Sequence, residues 1–166
     1  TRLFVEKKIY DDFVGKLSDK VKNIKLGTGL DPSTEMGPLI SEEHLKKVTG
    51  YLDIGKNEGA KALAGGNRAK GENLDKGYFV EPTVFANVNN KMRIAQEEIF
   101  GPVVSAIPFT DLDDAIFQGN ETTYGLAAGI WTKDIKKAHA AAKALKAGSV
   151  WINCYNVFDP CAPFGG

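Results

Sequence analysis

The hydrophobic and polar positions of this chain follow two periods that alternate along its length. Helical spacing is clearest in residues 9–24, where Phe13, Leu17, Val21 and Ile24 recur among lysines and aspartates. This spacing predicts an amphipathic helix over residues 9–24, with these four side chains on its buried stripe.

Three further segments are predicted to be helices. Ser41 is a favourable N-cap, and the acidic residues that follow it suit the first turn of a helix. The apolar stripe of this second helix is predicted to consist of Leu45, Val48 and Leu52. Asp111 is the predicted N-cap of a helix that ends near residue 119, and an alanine- and lysine-rich helix is predicted over residues 134–145.

Short apolar runs between these helices predict the strands. They occupy residues 3–5, 61–64, 79–80, 83–85, 103–109, 126–131 and 149–153. The repeated strand–helix–strand order predicts an α/β fold with a mainly parallel sheet flanked by helices. We expect the strand at residues 126–131 to be buried and residues 1–166 to form a single domain.

Composition narrows the possible partners. The 166 residues include 21 basic and 21 acidic side chains, so no net charge favours nucleic acid or an anionic membrane. No apolar run approaches the ~20 residues of a membrane-spanning helix. Cys154 and Cys161 have neither zinc-site nor redox-motif spacing, so we expect no metal site. The spacing allows a disulfide, but with no other cysteines we expect free thiols in a reducing compartment, and a cytoplasmic location is the default.

The segment Glu97-Glu98-Ile99-Phe100-Gly101-Pro102 is the most informative part of the chain for function. Two carboxylates and one aromatic ring precede a Gly-Pro turn, from which the strand at residues 103–109 emerges. A carboxylate only accepts hydrogen bonds and can accept from both hydroxyls of a ribose. The segment can therefore hold a carboxylate and a ring where a ligand with hydroxyls and a flat face meets both, although two solvated turn residues would have the same sequence.

Three other segments extend this pattern to both ends of the chain. They are Gly77-Tyr78-Phe79-Val80-Glu81-Pro82-Thr83-Val84-Phe85, Tyr124-Gly125-Leu126-Ala127-Ala128-Gly129 and Pro163-Phe164-Gly165-Gly166. Because these segments occur in this order and at these distances, the chain resembles the aldehyde dehydrogenase superfamily over its whole length.

The resemblance implies that the chain is a fragment of a catalytic domain from the hydrolytic, NAD(P)-dependent branch. The catalytic cysteine is expected just upstream of Thr1, and neither Cys154 nor Cys161 matches its position. The cofactor-binding domain is likewise expected outside this chain. We therefore expect no catalytic residue within the chain and no dehydrogenase activity from the chain alone.

The resemblance also assigns cofactor-binding residues. Glu98 corresponds to the glutamate that binds the nicotinamide ribose, and Phe100 flanks the same end of the cofactor. His44 and Lys47 match positions that approach a ribose of the dinucleotide in relatives. Relatives often have Gln where this chain has His44, and a solvated helix face is the alternative for both residues.

A second group of residues is implied in the loop that follows the last strand. Phe158 and Phe164 match the aromatic positions that line the aldehyde channel, and Asn156 and Val157 lie beside them in the sequence. Loops after strand ends are where α/β sheets place ligands, and two rings suit the wall of an apolar tunnel. The alternative is that both rings pack in the core.

The implied function is oxidation of an aldehyde to a carboxylic acid through a cysteine thiohemiacetal and thioester, with NAD or NADP as cofactor. The intact enzyme is expected to be a homodimer or homotetramer. Two alternatives stay open: a relative that transfers the acyl group to coenzyme A, and a non-catalytic binding or structural protein with the same fold.

Overall fold

The structure is a computed structural model that describes residues 1–71 and 73–166. The chain separates into two compact units, Thr1–Pro108 and Phe109–Gly166. We call them the first and second units and describe each by itself. The assignment of the whole chain to a single catalytic domain stays a prediction.

The first unit combines three helices with a four-stranded sheet. Its elements in chain order are β1 (Arg2–Glu6), α1 (Tyr10–Lys22), α2 (Glu42–Asn57), β2 (Lys61–Ala64), β3 (Thr83–Ala86), α3 (Arg93–Gln96) and β4 (Val103–Phe109, whose last residue falls in the second unit). The sheet order is β1-β4-β3-β2, with β3 parallel to β4 and β2 antiparallel to β3. The predicted α/β fold is confirmed, with β2 as an antiparallel addition.

Helix α2 follows its sequence prediction closely. The Ser41 side chain accepts a hydrogen bond from the backbone N–H of His44 at 3.1 Å, which is the expected N-cap. Leu45, Val48 and Leu52 are all buried, as the apolar stripe predicts. These side chains belong to the larger core cluster of the first unit, together with Phe85 from β3.

The predicted stripe of helix α1 is confirmed only in part, since Leu17 and Val21 are half-buried against a second core cluster of the first unit. The buried residues are Tyr10, Val14 and Ser18, whereas Phe13 is 44% exposed. The buried positions lie four residues apart and share one face, and Phe13 lies to the side of that face. The Ser18 hydroxyl can be buried because it donates to the carbonyl oxygen of Val14 at 2.7 Å.

The second unit pairs two helices with a two-stranded parallel sheet. Its elements are α4 (Leu112–Asn120), β5 (Ala127–Ile130), α5 (Ile135–Ala144) and β6 (Ser149–Ile152). The predicted N-cap of α4 is confirmed, since Asp111 accepts from the backbone N–H of Asp114. Asp134 caps α5 in the same way and accepts from the backbone N–H groups of Lys136 and Lys137.

The strand predicted over residues 126–131 is present as β5, but the prediction that it is buried is wrong. In the structure, Leu126 is 53% exposed and Trp131 is 64% exposed, at either end of β5. An apolar run predicts that a strand avoids water, but burial also requires other elements to cover it. In the second unit β5 pairs with β6, and the buried side chains Ala138 and Ala141 come from α5.

Candidate functional site

The turn formed by residues 97–102 joins α3 to β4 and is anchored on both sides by the core. Ile99 and Val103 are buried in the larger cluster of the first unit. The carbonyl oxygen of Pro102 accepts a hydrogen bond from the Thr83 backbone N–H at 2.8 Å, next to the parallel pairing of β3 with β4. The turn is therefore fixed at the entrance to a strand, as its sequence predicts.

The Glu97 carboxylate is hydrogen-bonded within the protein. Its carboxylate accepts two hydrogen bonds from the Arg93 guanidinium, at 2.7 and 2.9 Å, and a third from the Tyr51 hydroxyl at 2.7 Å. The hydrogen bonds from Arg93 and then from Tyr51 lower the pKa of Glu97 to about 2. This carboxylate therefore links α3 to α2 and has a structural role.

Glu98 has the opposite character. Its side chain is exposed, and it makes no hydrogen bond or ion pair with the described residues. Its charge acts at the backbone nitrogen of Thr1, which lies within range of an electrostatic interaction. Glu98 is thus an available carboxylate close to Thr1.

Phe100 carries backbone strain as well as an exposed ring. Its φ is 59°, in the left-handed region that bulky residues rarely occupy, and such a conformation costs about 1–3 kcal/mol. The side chain is 71% exposed, so core packing of the ring does not hold it there. A conformation of this kind persists only where its surroundings impose it.

Two contacts from α2 constrain the backbone around Phe100. The His44 Nε2 atom lies 2.7 Å from the Phe100 carbonyl oxygen, and the two rings are 6.1 Å apart. One residue later, Gly101 lies directly over the buried Val48: a Cβ atom at position 101 would come within 2.8 Å of a Val48 methyl group. No side chain larger than hydrogen fits there without a shift.

A cleft of about 350 Å³ opens beside this turn and the start of α2. Its lining residues are Ile40, Ser41, Glu43, His44, Lys47 and Phe100. The structure therefore brings together His44, Lys47 and Phe100, which the sequence assigned to one cofactor, while Glu98 lies two residues before Phe100 in the turn. Their binding role stays a prediction.

The predicted channel residues lie together in the second unit, after β6. Phe158 and Phe164 meet edge to face, with ring centroids 5.1 Å apart and planes at 86°. Both rings are more than half exposed, so the alternative of core packing does not describe them. Asn156 adopts a φ of 55°, which asparagine tolerates, and Val157 is exposed.

Sequence reasoning missed the rings that organise this loop. The Trp151 indole N–H donates to the carbonyl oxygen of Val157 at 2.8 Å, and its ring meets Phe158 at 5.6 Å in an edge-to-face contact. Tyr155 contacts both Trp151 and Trp131, at 5.1 and 6.2 Å. The signal was the density of aromatic residues on either side of the strand end, which the strand prediction alone did not use.

Asn153 fixes the strand end from which this loop starts. Its side chain accepts a hydrogen bond from the Thr132 backbone N–H and donates one to the Thr132 carbonyl oxygen, both at 3.0 Å. Its φ of 54° again lies in the left-handed region, where asparagine is tolerated. The ends of β5 and β6 are therefore tied together where the ring-bearing loop begins.

Cys154 and Cys161 are exposed free thiols. Within residues 1–71 and 73–166, no three side chains of the metal-binding types form a group that could hold an ion. Over the same residues, no helix has both the length and the apolar character needed to cross a membrane.

Comparisons with known proteins agree with the resemblance in the sequence. The family described as the aldehyde dehydrogenase family matches residues 1–166. The chain is 49% identical to betaine aldehyde dehydrogenase from Mesorhizobium japonicum, covering 100% of this chain and 34% of that relative. It spans about a third of the length of the curated relatives it matches.

Solved structures give the same result. The structure of HpcC from Thermus thermophilus matches with a TM-score of 0.97 and 52% identity, covering 99% of this chain and 33% of that one. An NAD⁺ complex of aldehyde dehydrogenase from Bacillus cereus matches with a TM-score of 0.93 and 49% identity, again covering 99% and 33%.

Proposed function

Because this chain belongs to the aldehyde dehydrogenase family, we propose that it forms part of the catalytic domain of an NAD(P)-dependent enzyme that oxidises an aldehyde to a carboxylic acid. In this proposal, the cofactor-binding domain and the nucleophilic cysteine lie outside the chain. The cysteine would attack the aldehyde to give a thiohemiacetal. Loss of a hydride, for which NAD(P)⁺ would be the acceptor, and of the hydroxyl proton would give a thioester, and water would hydrolyse it to the acid and the free thiol. The chain contributes residues that position the cofactor and shape the path of the aldehyde.

The observation that carries the proposal is the contrast between Glu97 and Glu98. Three donated hydrogen bonds occupy Glu97, while Glu98 is exposed and without a hydrogen-bond partner in the described part of the chain. An exposed carboxylate on a rigid turn is suited to accept hydrogen bonds from two ribose hydroxyls. Its proximity to Thr1 would place it near the expected nucleophile.

The residues around Glu98 fit a nicotinamide cofactor. A bound nicotinamide supplies the hydride acceptor. The exposed ring of Phe100 would lie against that end of the cofactor, and Lys47 and His44 line the adjoining cleft. The cleft thus offers a flat apolar surface with cationic and imidazole groups, and Glu98 lies in the turn that contributes Phe100 to the cleft.

The aldehyde would approach along the rings of Phe158 and Phe164. Their edge-to-face contact makes an apolar wall, with Asn156 and Val157 beside it in the same loop. A cytoplasmic homodimer or homotetramer that uses either NAD or NADP completes the proposal.

The proposal is tested with a protein that carries this chain together with the residues that its relatives have on either side. We expect aldehyde-dependent reduction of NAD or NADP, measured at the absorbance of the reduced cofactor, with the free acid as product. An acyl-CoA product that forms only with added coenzyme A would support the acylating alternative. No reduction with any of a panel of aliphatic, aromatic and cationic aldehydes would contradict the enzymatic function.

Substitution of the two adjacent glutamates tests the assignment itself. Glu98→Gln should weaken cofactor binding about tenfold to a hundredfold, since an amide does not replace a carboxylate that accepts two hydrogen bonds. The matched control, Glu97→Gln, should lower stability and leave cofactor affinity within about threefold, a loss of less than ~1 kcal/mol. The opposite pattern would assign the cofactor to Glu97.

A further inference from the structure

We propose that His44 is a positioning residue, whose imidazole holds Phe100 in its left-handed conformation and thereby sets the Phe100 ring and the Glu98 carboxylate for one ligand. This inference rests on the proposed function and adds a route by which α2 controls the 97–102 turn. It also differs from the expectation that His44 touches the cofactor itself.

The hydrogen bond between His44 and Phe100 joins residues 56 positions apart. The His44 Nε2 atom lies 2.7 Å from the Phe100 carbonyl oxygen. A carbonyl oxygen only accepts hydrogen bonds, so Nε2 carries the hydrogen and the imidazole donates. The imidazole ring is therefore oriented toward the backbone of the 97–102 turn.

This contact acts where the backbone is strained. Phe100 has a φ of 59° and an exposed ring, so neither intrinsic preference nor ring packing explains its conformation. Its neighbour Ile99 is buried on one side, and Gly101 lies over Val48 on the other. Between these two fixed points, the hydrogen bond to its carbonyl oxygen constrains Phe100 directly.

The position of His44 on α2 gives this contact a firm support. The backbone N–H of His44 donates to the Ser41 side chain, which fixes the first turn of the helix. Val48 lies one helical turn after His44, on the same face, and is completely buried beneath Gly101. Helix α2 therefore constrains two successive residues of the 97–102 turn from a single face.

A double-mutant cycle separates positioning from direct ligand contact. Phe100→Gly removes the ring and makes the left-handed conformation accessible without strain. If His44 acts through Phe100, His44→Ala should weaken NAD binding in the unchanged protein but have little further effect beside Phe100→Gly. If His44 instead contacts the cofactor, its effect should be the same in both backgrounds.

The experiment measures the NAD dissociation constant by calorimetry in the same longer protein. We expect His44→Ala to weaken binding about tenfold and His44→Gln to stay within about twofold, because glutamine can also donate to the carbonyl oxygen. The control His139→Ala, an exposed histidine in α5, should leave the constant unchanged. His44→Leu keeps more side-chain volume, removes the donor and should match His44→Ala.

A structural measurement keeps the proposal testable without ligand. Crystal structures of the ligand-free His44→Leu and His44→Gln variants should show Phe100 out of the left-handed region in the first and within it in the second. An unchanged φ in His44→Leu would overturn the proposal, as would additive effects in the cycle or failure of His44→Gln to bind. If the unchanged protein does not reduce NAD or NADP with any aldehyde, the proposed function fails. If Glu98→Gln binds NAD normally, the assignment of the cofactor to Glu98 fails. If only the His44 variants bind normally, the positioning role alone fails.

Discussion

The two compact units of this protein hold their candidate site residues by different means. The first unit has two clusters of buried hydrophobic side chains, one of which anchors the 97–102 turn. In the second unit, Ala138 and Ala141 are the described hydrophobic residues that are buried. The rings of Trp131, Tyr155, Phe158 and Phe164 are each more than half exposed. Trp131 contacts Tyr155, and Phe158 contacts Phe164.

This difference predicts how each of the two groups of candidate residues responds to substitution. In the first unit, the exposed groups Glu98 and Phe100 are positioned by a core that contains neither of them. In the second unit, the channel residues are themselves the contacts that order the loop. A substitution can therefore separate binding from stability in the first unit more readily than in the second.

The largest expected effect is the loss of stability when a buried aromatic residue of the first unit is truncated, compared with an exposed one of the second unit. Phe85→Ala should reduce the free energy of unfolding by about 3–5 kcal/mol, because Phe85 is completely buried and its loss leaves a cavity. Phe158→Ala should reduce it by about 1 kcal/mol or less, because this ring is 59% exposed and loses mainly two edge-to-face contacts. Urea unfolding of both variants measures the difference, and equal losses would contradict the comparison.

The next effect concerns the close approach of Gly101 to α2. Gly101→Ala should destabilise the protein by about 1–3 kcal/mol, because the new methyl group overlaps the buried Val48. Adding Val48→Ala makes room for it, so the double variant should lose less stability than the sum of the two single variants. Additive losses, measured by urea unfolding, would show that the overlap is relieved elsewhere.

A smaller effect is expected in the second unit at Trp151. Trp151→Phe keeps an aromatic ring near Tyr155 and Phe158 but removes the hydrogen bond to the Val157 carbonyl oxygen, at a cost of about 1 kcal/mol. We expect KM for the aldehyde to rise severalfold with cofactor affinity unchanged. Trp131→Phe is the control, because Trp131 contacts Tyr155 through its ring. An equal rise of KM in this variant would contradict a specific role for the Trp151 hydrogen bond.

The smallest effect is the pH dependence contributed by Glu97. Its pKa is lowered to about 2 in the folded protein, so its contribution to stability is complete above its usual value of 4.5 and is lost as pH falls toward 2. Because the side chain is 39% exposed, solvent screens the pair and we expect less than ~1 kcal/mol.

Urea unfolding between pH 4.5 and 2.5 measures this contribution. Stability should fall less steeply in Glu97→Gln, which has no carboxylate to protonate, than in the unchanged protein. Concentrated salt should reduce the difference by screening the ion pair. Identical slopes at low salt would show that the Arg93–Glu97 pair does not stabilise the fold.

The fold was largely predictable because its signals are local. Caps such as Ser41 and Asp111 satisfy backbone groups a few residues away, so the sequence nearby contains both partners. Burial was less predictable. Phe13 and Leu126 are apolar residues in apolar patterns, yet both are exposed, because burial depends on which elements cover a face.

The candidate site shows the same division. The family resemblance assigned cofactor roles to Glu98 and Phe100, but the sequence alone could not show that Glu97 is the glutamate whose carboxylate is hydrogen-bonded within the protein. Its partners Tyr51 and Arg93 lie on different helices. The hydrogen bond from His44 to Phe100 was equally hidden, because it depends on a left-handed conformation that phenylalanine does not favour.

The most direct test of the proposed function is a crystal structure of the longer protein with NAD bound. We expect the oxygens of Glu98 to accept hydrogen bonds from the two hydroxyls of one ribose, while Glu97 keeps its contacts to Arg93 and Tyr51. We also expect the Phe100 ring to lie against the nicotinamide end. A cofactor bound away from Glu98, or held by Glu97 in its place, would contradict the proposed function.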